Sequence, residues 1–183
     1  MLGRAIGICL LGIALFSGGN AVYIHAKALL AQMLIASAWA DTLKSDEAHP
    51  PWPWADVWPV ARLEIKGRHL YVLSGAHGSA LAFGPGHLDG SELPGEGHAV
   101  IAGHRDTHFA LLRDINIGDS FRLQQRSGSW RYYRVTARDI VNVKEHALPF
   151  YPGRNQLQLV TCYPFDAINP GGPLRLSLMA QPL

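Results

Sequence analysis

From Val60 onward the chain is cut by glycine and proline into short apolar segments, and this punctuation limits its fold more than any other feature. Residues 61–65 and 69–73 flank Lys66-Gly67-Arg68 and predict a hairpin. Residues 80–83 precede Gly84-Pro85-Gly86, and residues 99–102 run directly into Gly103-His104. Gly118-Asp119 opens residues 120–124, and residues 130–137 follow a Ser127-Gly128-Ser129 turn. Residues 139–143, 157–162 and 174–179 complete the series, with one short helix predicted over 109–115. Eight or nine short strands with little helix predict an all-β domain closed into a barrel, because closure leaves no exposed edge. The net charge of +2 is spread along the chain with no basic block, which excludes the usual nucleic-acid binders.

Ahead of this domain, residues 5–24 form a run of 20 residues without a charge, about enough to cross a bilayer at roughly 1.5 Å per residue. Arg4 and the amino terminus on its near side favour an inside N-terminus. The expected organisation is a transmembrane signal-anchor over 1–24, helix and linker over 25–48, a Trp/Pro-rich arm over 49–60, and the barrel over 61–183. The barrel would then lie on the extracytoplasmic, periplasmic side of the inner membrane. A cleaved signal peptide is the alternative. Ala38-Trp39-Ala40 resembles a cleavage site, but it lies too far beyond the apolar run. Residues 26–40 have no Gly or Pro and predict a helix with Leu29, Leu30, Met33 and Leu34 on its apolar stripe. In the arm, Trp52, Trp54 and Trp58 alternate with prolines, as in a stiff extended segment whose rings pack on the domain.

Three residues stand out for chemistry. Cys162 ends segment 157–162, where Leu157, Leu159 and Thr161 share one face while Gln158, Val160 and Cys162 share the other. A thiol displayed at a strand end meets solvent, as a nucleophile must; the plainer reading is a small apolar filler in the wall. Cys9 lies in the uncharged N-terminal run, so no disulfide is predicted. His104 follows a strand and a glycine, at a barrel rim, where an imidazole serves as general acid or base; it is one of nine histidines. Arg175 alternates with Leu174 and Leu176, a fixed cation able to bind a developing oxyanion. Thr161, Tyr163 and Ala102 are candidate substrate contacts. Asp106 is read as part of a local turn or an ion pair with Arg105 rather than an orienter of His104. Asp114, Asp119 and Glu145 lack the dense spacing of a calcium site, and no metal or cofactor is expected. The turn-rich loop 166–173 is a candidate for substrate selection.

These pieces, in this order, resemble the sortase family of membrane-anchored cysteine transpeptidases over roughly residues 55 to 180. They are Gly84-Pro85-Gly86-His87, Pro94-Gly95-Glu96-Gly97, Ala102-Gly103-His104-Arg105-Asp106, Gly118-Asp119, Leu159-Val160-Thr161-Cys162-Tyr163-Pro164-Phe165 and Leu174-Arg175-Leu176. The resemblance implies a closed eight-stranded sortase-type barrel with a groove at one rim and His104, Cys162 and Arg175 as the catalytic trio. It implies cleavage of a C-terminal sorting signal, usually LPxTG-like, in an exported protein through a thioester on Cys162, and transfer to an amine acceptor. The Trp-Pro arm and the 13-residue step from Cys162 to Arg175 look like the sortases of Gram-negative bacteria. His98 stands where many relatives have Asn. A thiol hydrolase on the same scaffold and a non-catalytic, membrane-tethered peptide-binding barrel are the rival readings.

Overall fold

The computed structural model describes residues 2–169 and 171–183. The hairpin forms as expected from β1 (Pro59–Ile65) and β2 (Arg68–Ser74), with Lys66 and Gly67 at φ 49° and 71°. Two consecutive positive φ values make the tight turn whose twist matches the flanking strands. Then follow β3 (Gly86–His87), β4 (His98–Gly103), a 3-10 helix (Ala110–Asp114), β5 (Ser120–Gln124), β6 (Trp130–Asn142), β7 (Gln156–Cys162) and β8 (Leu174–Pro182). The eight strands close into a barrel in the order β1-β2-β3-β4-β7-β8-β6-β5. The β2–β3 and β4–β7 pairs are parallel and the others antiparallel.

Residues 80–83 are not a strand. They lie in α2 (Gly78–Phe83). Their Ala-Leu-Ala core carries no β-branched residue, so local propensity favours a helical turn. The two strands expected at 130–137 and 139–143 are one long β6, with a register shift between Val135 and Ala137. That irregularity absorbs one residue and lets the strand bend around the barrel.

The interior is filled by Leu63, Val72, Ile101, Leu123, Leu157, Leu159, Leu176 and Leu178, all fully buried. Each such side chain stabilises the fold by about 1.5–3 kcal/mol. Phe109, Leu112 and Ile115, from the segment after β4, plug one end.

A single α1 (Leu2–Ser45) runs without a break through the expected span, the helix after it and the start of the linker. Gly18 and Gly19 each cost a helix only about 1 kcal/mol, and the first proline is Pro50. Up to Leu30 every described side chain of α1 is exposed; from Ala31 the helix docks on the barrel. Ile35, completely buried, packs with Val57, Leu73 and Ala80. The Trp39 indole N–H donates to Gln124 Oε1 at 3.2 Å, and Gln32 Nε2 donates to the Phe83 carbonyl at 2.8 Å. The arm is only partly packed. Trp52 lies edge-on to Phe83 at 5.2 Å, whereas Trp54 is 83% exposed.

Candidate active site

Strand pairing brings the three sequence-predicted residues to one end of the barrel. Gly103 ends β4 and pairs with Thr161 of the parallel β7, so His104 and Cys162 each lie one residue beyond that pair. Cys162 in turn pairs with Arg175 of the antiparallel β8. Antiparallel partners stand about 4.5–5.5 Å apart between Cα atoms, and their side chains share a face. Leu157, Leu159, Leu176 and Leu178 face the core, so the alternation puts Cys162 and Arg175 on the outer face of the rim. Cys162 is a free thiol, half-buried; Arg175 is half-buried and His104 exposed. The pairing expectation for Cys9 concerns a side chain outside the described ones.

Gly103 is required here. A Cβ at this position would stand 2.7 Å from the Phe109 ring. The chain can therefore turn tightly over the plugged barrel end, with the Phe109 N–H donating to the His104 carbonyl at 3.0 Å.

The candidate substrate contacts differ in placement. Ala102 is half-buried and pairs with Val160, on the Cys162 side of the sheet. Tyr163 packs inward against the core cluster and edge-on to Phe165 at 6.2 Å. Thr161 is 2% exposed, and its hydroxyl donates to the Gly103 carbonyl at 2.7 Å. The side chain faces the core, and its polar atom ties β7 to β4. Arg175 Nη1 donates to the carbonyls of Gly172 (2.6 Å) and Leu174 (2.9 Å), which holds the guanidinium at the rim.

Arg105 carries more of the site than sequence reasoning assigned to it. Its ion pair with Asp106 is present at 3.0 Å. Yet the side chain is 7% exposed, and it also donates to the carbonyls of Pro164 (2.7 Å) and Ala167 (2.9 Å). It thereby fastens the segment after Cys162 to the segment after His104. Of the 166–173 loop, Pro170 lies outside the described residues.

Residues 143–155 must run from this rim to the far end of the barrel, because β6 and β7 point the same way. His98, fully buried, holds this crossover. Its Nδ1 accepts the Tyr151 N–H at 2.8 Å, and its ring stacks on Phe150 at 4.9 Å and Tyr151 at 6.0 Å. Burial pushes the His98 pKa below the ordinary value, against the opposing effects of Gln158 and Glu92. A neutral ring with Nδ1 as acceptor keeps its proton on Nε2. His108, which sequence reasoning passed over, is also pushed down, first by burial and then by the charges of His104 and Arg68.

Comparison with known proteins is consistent across sequence and structure. The family model "Sortase domain" matches residues 62–183. Sortase D of Bacillus subtilis (strain 168) is 31% identical over 100 residues, which are 54% of this chain and 50% of that protein. The chain thus spans about half the length of that curated relative. The structure of sortase A from Corynebacterium diphtheriae superposes with a TM-score of 0.61 at 29% identity, covering 71% of this chain and 63% of that one. Sortase C-1 from Actinomyces oris gives 0.58 at 26% identity, covering 81% and 98%.

Proposed function

The chain belongs to the sortase family, and from that premise we propose that it is a cysteine transpeptidase acting on a C-terminal sorting signal, LPxTG-like, of exported proteins. The observation that carries this reading is the pairing of Cys162 with Arg175 across β7–β8, with His104 one residue past the β4–β7 pair. The Cys162 thiolate attacks the carbonyl carbon of the scissile peptide bond. Arg175 binds the oxygen as it gains negative charge. The C–N bond breaks, the imidazolium of His104 protonates the departing amine, and a thioester remains on Cys162. An acceptor amine then attacks the thioester carbon, the C–S bond breaks, and His104 takes the proton released from nitrogen. Splitting one difficult exchange into two steps needs a thiol, a proton carrier and a cation, the roles this reading gives to Cys162, His104 and Arg175.

Within α1, Leu10–Ser45 is long and apolar enough to hold a membrane span by length and composition. We place it as a single-pass anchor with the barrel on the extracytoplasmic side, which puts the enzyme where exported substrates arrive. The assay is cleavage of a fluorogenic LPxTG-type peptide, with mass spectrometry of the acyl-enzyme. Cys162→Ala is expected to abolish both signals, and His104→Ala and Arg175→Ala to slow cleavage by about 10²–10⁴-fold. Undiminished cleavage by Cys162→Ala would end the reading.

A further inference from the structure

A pocket opens beside the segment that follows Cys162. It has a volume of about 270 Å³ and is lined by Arg113, Arg138, Tyr163, Pro164, Phe165 and Asp166. Its wall begins with the residue that follows Cys162, about 3.3 Å further along the chain. Arg138 reaches it from β6, where it pairs with the core residue Leu178, and Arg113 comes from the 3-10 helix. Each guanidinium spends one donor on its own scaffold: Arg138 Nε on the Ile115 carbonyl at 3.2 Å, Arg113 Nη2 on the Phe165 carbonyl at 3.2 Å. Arg113 also lies over the Phe165 ring at 5.3 Å. Among the described residues neither enters a salt bridge. These contacts orient both cations and leave their remaining N–H groups for a ligand.

The charge balance selects the ligand. Two guanidinium groups and the Asp166 carboxylate leave one net positive charge in the lining, which suits a monoanion better than a dianionic phosphate. A planar carboxylate also matches the guanidinium fork. We propose that this pocket holds the carboxylate of the amine acceptor, an amino acid or short peptide whose amine nitrogen meets the acyl group on Cys162. The proposal rests on the transpeptidase reading for its partner and on the pocket alone for its ligand chemistry. The acceptor enters with its carboxylate anchored on Arg113 and Arg138. Its nitrogen bonds to the acyl carbon, the sulfur leaves as thiolate, and the proton passes to His104.

Two readouts test it on the full chain in detergent. In the first, arginine Nε–Hε NMR signals are followed while glycylglycine or glycylglycine amide is added. Signals of Arg113 and Arg138 should move with the acid and not with the amide; no movement, or equal movement with both, overturns the proposal. This titration needs no variant and no turnover, so it stands even if no acyl-enzyme ever forms, the result that would count against the transpeptidase reading instead. In the second, the acceptor KM should be at least about tenfold lower for glycylglycine than for its amide. Arg113→Gln with Arg138→Gln should erase that difference. Equal KM values for the two acceptors in the unsubstituted enzyme would also overturn it.

Discussion

The Thr161 hydroxyl donates a 2.7 Å hydrogen bond to the Gly103 carbonyl, across the two parallel strands that deliver Cys162 and His104. The bond locks the register at the point where both strands end. Thr161→Val would leave the carbonyl unpaired in a buried position, at a cost of about 1–3 kcal/mol. We expect a lower urea midpoint and a reduced kcat, with Thr161→Ser restoring most of both. A Val variant with unaltered stability and kcat would show that the register is held elsewhere.

Arg105 predicts a different failure. Its guanidinium bonds two carbonyls of the segment that follows Cys162. Arg105→Ala removes both donors at about 1.5–3 kcal/mol per charge-assisted bond. Arg105→Lys does not restore them, since a single ammonium lacks the fork that spans both oxygens. Limited proteolysis should cut both variants within residues 164–173 sooner than the parent chain, with kcat falling in parallel.

His98 gives a pH dependence with a defined sign. Its folded-state pKa lies below the ordinary 6.5, chiefly through burial. As pH falls through that value the unfolded chain takes up a proton that the folded ring resists, so stability is full above it and declines below it. The decline levels off once the folded ring also protonates and Nδ1 can no longer accept the Tyr151 N–H. His98→Asn keeps an acceptor without a titrating ring, and should flatten the melting temperature between about pH 7 and 5. It should also lower stability at pH 7 by about 0.5–1.5 kcal/mol through loss of the aromatic stack. An equally steep profile in the variant would assign the acid sensitivity to another group.

The two halves of α1 should separate by truncation. Removing residues 1–30 deletes only exposed side chains among those described, and is expected to give a soluble domain of unchanged melting temperature. Removing residues 1–48 also strips away Ile35 and Trp39. By burial of two large side chains alone that costs roughly 3–6 kcal/mol. Calorimetry of the two truncated chains checks the difference.

How much of this was legible in the sequence varied with the range of the force involved. Period-two alternation at 157–162 correctly separated Thr161 from Cys162, because a strand side chain faces one way or the other and nothing local competes. β5 ran over 120–124 as its flanking turns required. Only two residues long, β3 has no pattern of its own and exists through its partners on β2 and β4. The segment of α2 was misread because four apolar residues fit a strand or a helical turn equally well. Continuity of α1 was hidden by two glycines that a helix tolerates. Arg105 looked like half of a surface pair, since its neighbour in sequence is an acid; its other partners lie about sixty residues away, at Pro164 and Ala167. The catalytic candidates were found by residue type and order, whereas the groups that hold them in place are long-range backbone contacts with no sequence signature.

An unbroken rod joins whatever grips residues 2–30 to the wall of the barrel. A slack tether would let the rim that bears Cys162 wander and sweep for its targets. If α1 is the anchor we propose, a helix seated in the wall sets tilt and standoff once, so the rim stays at a fixed distance and attitude. Targets must come to that spot, and lengthening α1 by a few residues would both raise the rim and swing it around the rod.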